Sequence, residues 1–552
     1  MPSSSPQTFL DYFYQWEQTR PDAAYLHQPL GGQWISYTWR EVGDQARRMV
    51  TALRAMGLQP QAKVGLISKN CAHWIIADIA LKMGGWVSVP FYPNLTADQL
   101  AQVLEHSECQ VLLVGKLDSL EAVKEGTPPH ITCIALPLCK DPDMIRWETL
   151  IATHEPVSEN RQPDPGEIET IVYTSGTTGL PKGVVKTYFG NSAGIRSTIQ
   201  LTQLDKIEGR FFSYLPLNHD AERIVVEGGS IINGGMVYFA ESLDTFMDNL
   251  RTARPTIFLA VPRIWVKFQM GILEKLPARK LKPLLKIPIV SGLIKKRILK
   301  GIGLDKVIWA ISGAAPIAPA TLKWFSRIGL AISEGYGMTE NSAVCTVNPR
   351  TDIRIGTVGK PYEGCELKID PDTKEVLMRA DWVMKGYFKN PALTAEILRD
   401  GWLHTGDMGE LTPEGYLKIT GRVKDMFKTS KGEYILPVPM EKMFLSNTLI
   451  EQVCVVGYGM PQPFALVNLS DPARHMEAAE VEASLTHTLL EINASLADYE
   501  QVNKVVITQD VWTVENGLIT PTLKVRRNVM DSRYLVRIEE WYKQEDRKVI
   551  WE

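Results

Sequence analysis

No stretch of this 552-residue chain reaches the roughly 18 uninterrupted apolar residues that a membrane-spanning helix requires. The amino terminus, MPSSSPQTFLDYFYQWEQ, has neither a positive n-region nor an apolar run, so no secretory signal is expected. Charge of one sign is also scarce. With 60 Lys and Arg against 63 Asp and Glu, the formal net charge is −3, which removes any global drive toward nucleic acid. The seven cysteines, at 71, 109, 133, 139, 345, 365 and 454, are scattered, odd in number and never in Cys-x-x-Cys spacing. That excludes a cysteine zinc site and reads as reduced thiols, so the expected location is the cytoplasm. Apart from a short Ser/Pro start there is no low-complexity tract, and no internal repeat is visible.

What is present is the composition of a globular protein, 45% hydrophobic and 22% charged, in a chain too long for one ordinary core. Apolar runs alternate with helix-length segments: AKVGLIS (62–68), GGWVSVPF (84–91), CQVLLVG (109–115), ETIVYTSG (169–176) and PTIFLAV (255–261). Between the first two, NCAHWIIADIALKMG carries apolar residues at helical spacing. This alternation predicts an α/β fold with a largely parallel sheet covered by helices. EGYGMTE (334–340) interrupts an apolar run with two glycines and is expected on a loop at a strand end, where ligands of open α/β sheets gather. From about 356 the texture becomes short β-like pieces with turns, predicting a small β-rich subdomain. Beyond GRVKD (421–425), helix and strand alternate again over a length suited to a small separate domain.

One tract stands out chemically. In YTSGTTGLPKGVV (173–185) an apolar run gives way to Thr174, Ser175, Gly176, Thr177, Thr178 and Gly179, with Lys182 close behind. Glycines let backbone N–H groups turn toward one point, hydroxyls add donors and the lysine adds charge, so the loop could cradle a polyphosphate. A plain Ser/Thr/Gly turn would have the same composition. The tract does not match the Gly-x-x-x-x-Gly-Lys-Ser/Thr pattern.

Five stretches, in order, resemble the signatures of the AMP-forming adenylating enzymes, which include acyl-CoA synthetases, peptide-synthetase adenylation domains and luciferases. The first is the loop just described, which in that superfamily holds the β- and γ-phosphates of ATP. The second is EGYGMTE: the resemblance implies that Tyr336, flanked by Gly335 and Gly337, stacks on adenine, that Thr339 contacts phosphate and that Glu340 helps hold Mg²⁺. In GWLHTGDMGEL (401–411), Asp407 would grip the ribose hydroxyls; in GRVKDMFKTSKGEYILP (421–437), Arg422 would contact ribose or phosphate and Asp425 would be a hinge. In NGLITPTLKVRR (516–527), Lys524 would bridge the substrate carboxylate and the α-phosphate. Each residue alone has a bland reading, as a loop acid, a turn aspartate or a solvated lysine. The resemblance covers roughly 10–540.

The middle of the chain, 213–268, which begins SYLPLNHDAERIVVEGG, looks specifically like the fatty-acyl-CoA synthetase branch and adds His219 to the site. SGAAPIA (312–318) resembles the stretch lying along adenine and the acyl group, with Gly313, Ala314 and Ala315 leaving room for close approach. Three features depart from the pattern: Asn218 and Asp220 flank His219 where small or apolar neighbours are expected, the C-terminal lobe is somewhat compact after VVGYG, and Lys431 precedes Gly432, which is placed at the thioester step.

The resemblance implies a large N-terminal domain (1–421) of two αβα subdomains plus a small β-barrel-like subdomain, a hinge at 422–426, and a small mobile α+β domain (427–552) that carries Lys524. It implies an ATP- and Mg²⁺-dependent fatty acid:CoA ligase for medium- to long-chain acids, forming acyl-AMP and then acyl-CoA. One rival passes the acyl group to a carrier protein or an amine; another is an inactive acyl-binding scaffold. Finally, 279–300 holds eight basic residues, no acidic ones and interleaved Leu, Ile and Val, so it could rest on anionic membrane, although Pro283 and Pro288 argue against one continuous helix.

Overall fold

Two large sheets carry the N-terminal part of the chain. The computed structural model describes residues 7–174, 181–514, 516–520, 524–544 and 547–552. One sheet has eight strands, with the order 386–387, 182–187, 168–174, 87–91, 63–67, 109–114, 132–135 and 145–146. The other has nine, running from 360–361 through 346–347, 332–336, 309–312, 257–260, 210–213 and 236–239 to 24–30 and 33–38. Their central pairs are parallel, as the alternating pattern predicts. Antiparallel pairs occupy positions nearer the edges, including Ile168–Thr174 with Lys182–Thr187.

The helix Ala72–Gly84 shows why an α/β chain can bury an element completely: twelve consecutive residues from Ala72 to Met83 are buried between layers. It stops where Gly85 adopts φ 78°, a left-handed cap open to glycine, whose N–H bonds back to Leu81. Two of its buried residues are charged. Lys82 pairs with Glu169 at 3.2 Å and Glu227 at 3.5 Å and also meets Asp78, while Arg223 holds Asp78 at 2.7 Å and Glu227 at 3.2 Å. Arg223 and Glu227 lie on a π-helical turn, Arg223–Gly228, a geometry common next to functional sites.

A five-stranded antiparallel sheet built from 366–369, 375–379, 398–399, 402–411 and 417–422 forms the β-rich region. The C-terminal part has its own four-stranded sheet (450–456, 464–469, 504–507, 549–551) and its own cores, one around Phe444, Val455 and Leu485, another around Trp512, Met530 and Tyr534. The fold class is thus the expected one, a large N-terminal domain with mixed sheets and a smaller C-terminal domain.

One local expectation needs correction. EGYGMTE is not wholly a loop: the strand Ile332–Tyr336 runs through Glu334, Gly335 and Tyr336 before a short 3₁₀ turn at Thr339–Asn341. Parallel pairing with Trp309–Ser312 and antiparallel pairing of Gly335 with Val347 and Tyr336 with Thr346 supply backbone partners that outweigh the glycine. The basic segment is not one continuous helix, as expected: a helix at Ala278–Leu284, with Pro283 inside its last turn, is followed by a second that starts at Pro288 and runs to Gly301.

Candidate active site

A cleft of about 1150 Å³ opens at the carboxyl ends of three strands, Ile168–Thr174, Trp309–Ser312 and Ile332–Tyr336, and is closed on one side by the C-terminal domain. It is lined by Thr174, Lys182, His219, Gly313, Ala314 and the Gly335–Gly337 segment. Thr339, Glu340, Arg422, Asp425 and Lys524 complete its polar wall. Ser175, Gly176, Thr177, Thr178 and Gly179 lie outside the described residues, but the ends of that tract do not: Thr174 and Lys182 are cross-strand partners.

The backbone at the rim is shaped for close contact. Ala314 has φ 66° in the left-handed region, which costs a non-glycine residue roughly 1–2 kcal/mol. Gly337 is required sterically, since a Cβ there would lie 2.3 Å from the Ala343 carbonyl carbon.

Asp407 and Arg422 face each other across an antiparallel ladder, with Arg422 Nε donating to Asp407 Oδ1 at 2.9 Å. Tyr336 donates its hydroxyl to the other oxygen at 2.7 Å. Asp407 raises the Arg422 pKa and, with burial, that of Tyr336, so both stay protonated. The three form one unit in which Tyr336 and Arg422 reach the cleft and Asp407 lies behind them. On the opposite side Glu340 Oε1 accepts a 2.6 Å hydrogen bond from Tyr387, and the Lys182 ammonium lies 5.7 Å from the centre of the Tyr387 ring.

His219 caps a short helical turn, its Nδ1 accepting the Ala221 N–H at 3.2 Å. That bond leaves Nε2 as the protonated nitrogen of the neutral ring. Burial lowers its pKa to about 4, with Lys524 and Lys186 adding to the effect, so the ring is a neutral N–H donor at physiological pH. Behind it Asp220 pairs with Lys186 at 2.6 Å, both side chains being at most 3% exposed. The unexpected acid beside His219 is therefore neutralised by a lysine in the strand Lys182–Thr187.

The Lys524 carbonyl accepts the Thr520 N–H at 2.8 Å, and Ile519 bridges Val525 beside it. The Lys524 side chain is accessible within the cleft yet surrounded by protein, and that desolvation lowers the ammonium pKa; Arg422 lowers it further, while Asp407 and Glu340 oppose the shift. Three positions on, Arg527 binds Glu441 at 2.6 Å and approaches Asp425 at 3.9 Å. Arg263 and Glu451 form an ion pair between the two domains.

Ala315 is exposed and Gly432 occupies a hairpin tip at φ 88°; neither lines the cleft, and Asp407 acts from behind Tyr336. Sequence reasoning missed Tyr387, Lys186 and Arg527. Only Lys186 left a signal, a lone lysine inside the apolar strand that also begins with Lys182.

No group of three or more His, Cys, Asp or Glu side chains able to hold a metal occurs among the described residues. A single cleft carboxylate such as Glu340 still fits Mg²⁺, which usually takes one or two carboxylates and completes its shell with phosphate and water.

The fold and this cleft define an enzyme of the adenylate-forming class. Residues 13–388 match the AMP-binding enzyme family and residues 424–546 the AMP-binding enzyme C-terminal domain, so the chain belongs to the AMP-binding enzyme family. It is 28% identical to long-chain-fatty-acid–CoA ligase 5 of Rattus norvegicus, over 92% of this chain and 84% of that protein. It is also 28% identical to long-chain-fatty-acid–CoA ligase FadD15 of Mycobacterium bovis, over 96% of both. In three dimensions it resembles the anthranilate CoA ligase AuaEII solved with anthranoyl-AMP, with a TM-score of 0.80 at 20% identity, covering 97% of this chain and 99% of the other; at that identity the likeness concerns the fold.

Proposed function

We propose that the protein is an ATP-dependent fatty acid:CoA ligase. The observation that carries this reading is the arrival of Lys524, from the C-terminal domain, in the cleft that also holds His219 and Glu340. Two relatives named as long-chain-fatty-acid–CoA ligases, each aligned over more than nine-tenths of this chain, support the substrate class.

In the first half-reaction a carboxylate oxygen attacks the α-phosphorus of ATP and pyrophosphate leaves, giving acyl-AMP. Two anions must meet, and the Lys524 ammonium offsets their repulsion and the charge gathering on phosphorus. The His219 Nε2–H donates to an oxygen of the same centre. Thr174 and Lys182 hold the polyphosphate end, while Tyr336, Asp407 and Arg422 hold the nucleoside. Glu340 would hold Mg²⁺, which when bound would supply positive charge to offset that of the pyrophosphate. In the second half-reaction the CoA thiolate attacks the acyl carbonyl, AMP leaves with the bonding electrons, and the thiol proton passes to solvent. Asp425 serves as the pivot by which the domain of residues 427–552 withdraws Lys524, and Gly432, on its hairpin tip, takes part at that stage.

The helices Ala278–Leu284 and Pro288–Gly301 add a membrane-facing element to this reading. Ile289 is 82% exposed and Leu293 67% exposed among the basic residues, a combination suited to anionic lipid. No helix among the described residues is long and apolar enough to cross a bilayer. Flotation with anionic vesicles at low salt, lost at high salt, is expected; indifference to lipid charge removes this element.

The deciding experiment is product analysis by mass spectrometry with ATP, Mg²⁺ and a ladder of fatty acids, with and without CoA. Acyl-CoA and AMP are expected only when CoA is present. Acyl-AMP persisting with CoA present would point to another acceptor, and no ATP turnover would overturn the reading.

A further inference from the structure

The apolar end of the cleft follows one face of the strand Trp309–Ser312. Trp309, Ile311 and Gly313 line the cavity, while Ala310 and Ser312 do not, which is the period of two that a strand imposes. On the neighbouring strand Leu259, the partner of Ile311, also lines it, whereas Ile257, the partner of Trp309, does not. The cavity therefore narrows as it descends from Gly313 and reaches Trp309 without passing it. Level with Trp309 across the sheet lie Ile257 and, beyond it, Phe211, successive register partners that line no part of the cavity and are buried in the same packed core as Trp309. The indole is 2% exposed, and its N–H has no hydrogen-bond partner among the described residues, so the ring is held by packing alone.

The length of this channel follows from strand geometry. Gly313 lies four residue steps from Trp309, and at about 3.3 Å per step the drop is ~13 Å. Carbon–carbon bonds of about 1.5 Å in a zigzag advance ~1.25 Å each, so this depth takes an extended chain of about ten carbons.

We propose that Trp309 is the floor of the acyl channel and sets the chain-length limit of the substrate at about ten carbons. The inference rests on the fatty-acid reading and deepens it: it names a medium-chain acid, although the relatives described above are named for long-chain acids. An acid longer than the channel must bend, displace the indole or leave carbons in water. A misfit of even one methylene is worth about tenfold or more in kcat/KM.

The test is a kcat/KM ladder with saturated acids from six to eighteen carbons, read by acid-dependent pyrophosphate exchange and by acyl-CoA formation, for the wild type, Trp309→Leu and Trp309→Ala. The wild type is expected to peak near ten carbons and to use palmitate at least about tenfold less efficiently. Trp309→Ala should raise the palmitate-to-decanoate ratio at least about tenfold, with Trp309→Leu intermediate. A gain on long acids cannot come from a damaged fold, and Trp309→Leu, which keeps most of the packing, serves if the alanine variant does not fold. A wild type that prefers palmitate overturns the floor's position. An unchanged ratio in the folded variants overturns the role of Trp309 while leaving the ligase intact. No exchange with any acid in the wild type removes the fatty-acid reading itself, and the channel assignment with it.

Discussion

Tyr387 donates its hydroxyl to Glu340 Oε1 at 2.6 Å. Tyr387 pairs with Val184 in the strand that begins at Lys182, so this one side chain links the phosphate-side lysine to the carboxylate assigned to the metal. Tyr387→Phe keeps the ring under the Lys182 ammonium and removes only the hydrogen bond, a charge-assisted bond worth about 1.5–3 kcal/mol. The expected result is a roughly 10- to 100-fold fall in kcat/KM for ATP that excess Mg²⁺ partly restores. Titration of activity against Mg²⁺ checks this, and an unchanged Mg²⁺ dependence would show that Glu340 does not need the bond.

Lys524→Ala should lower acyl-AMP formation by at least about a hundredfold, since it removes the charge proposed to act at the reacting centre. Conversion of supplied acyl-AMP to acyl-CoA should change far less. Because desolvation lowers the Lys524 pKa, the ammonium is lost at a pH below its ordinary 10.5. The adenylation rate should accordingly fall on the alkaline side before pH 10.5, and Lys524→Arg should move that limb upward. A pH–rate profile of the first half-reaction measures both.

Glu222 is fully buried, accepts the Tyr214 N–H at 2.9 Å, and is raised by burial to a pKa of about 8. The folded state thus binds a proton that the unfolded chain releases near 4.5. The sign is fixed: this group's contribution is fully present below the unfolded value and is lost as pH rises toward 8. Glu222→Gln, neutral throughout, should gain on the wild type by several kcal/mol between pH 5 and pH 8.5. Urea unfolding at the two pH values tests it, and a constant difference would mean that Glu222 is ionised in the fold.

Asp425→Pro should spare acyl-AMP formation and block thioester formation, because proline fixes the backbone where the C-terminal domain would pivot. The Asp425 N–H bonds to the Arg422 carbonyl at 3.2 Å, and the variant also loses that bond. Separate assays of the half-reactions decide the matter: loss of both, or of neither, would refute the hinge assignment.

The Lys186–Asp220 pair invites a double-mutant cycle. Lys186→Met alone leaves a buried carboxylate without its partner and should cost about 3–5 kcal/mol, whereas joint replacement with Asp220→Leu should recover most of it. Equilibrium unfolding of the three variants measures the coupling, and additive losses would mean that the pair is not a unit.

Much of this architecture could be read from the chain because local signals and tertiary structure agree. The run CQVLLVG became the strand Cys109–Val114, and NCAHWIIADIALKMG became the helix Ala72–Gly84. Tyr336, Glu340, Arg422 and Lys524 were picked out by motif, and the fold brings them to one cleft from positions nearly two hundred residues apart. Other features could not be read, since they exist only in three dimensions. The pairing of Ala24–Leu30 with Met236–Phe239 depends on long-range register that no local pattern encodes. Asp220 looked out of place because its partner, Lys186, is remote in sequence. Tyr387 stands in an ordinary GYFKN stretch, and only the edge pairing of its strand carries it to Glu340. Trp309 reads as one more core aromatic until the period of its strand is set against the cavity.

The buried charges at Asp78, Lys82, Glu169, Arg223 and Glu227 come from three separate segments, and every one has an opposite charge within 3.5 Å. A neutral exchange at Lys82 or Arg223 strands carboxylates away from water, so drift at these two sites is blocked one step at a time. In a set of descendants of this chain they should change together or stay fixed, leaving a correlated imprint that marks the junction of helix, strand and π-turn without reference to any substrate.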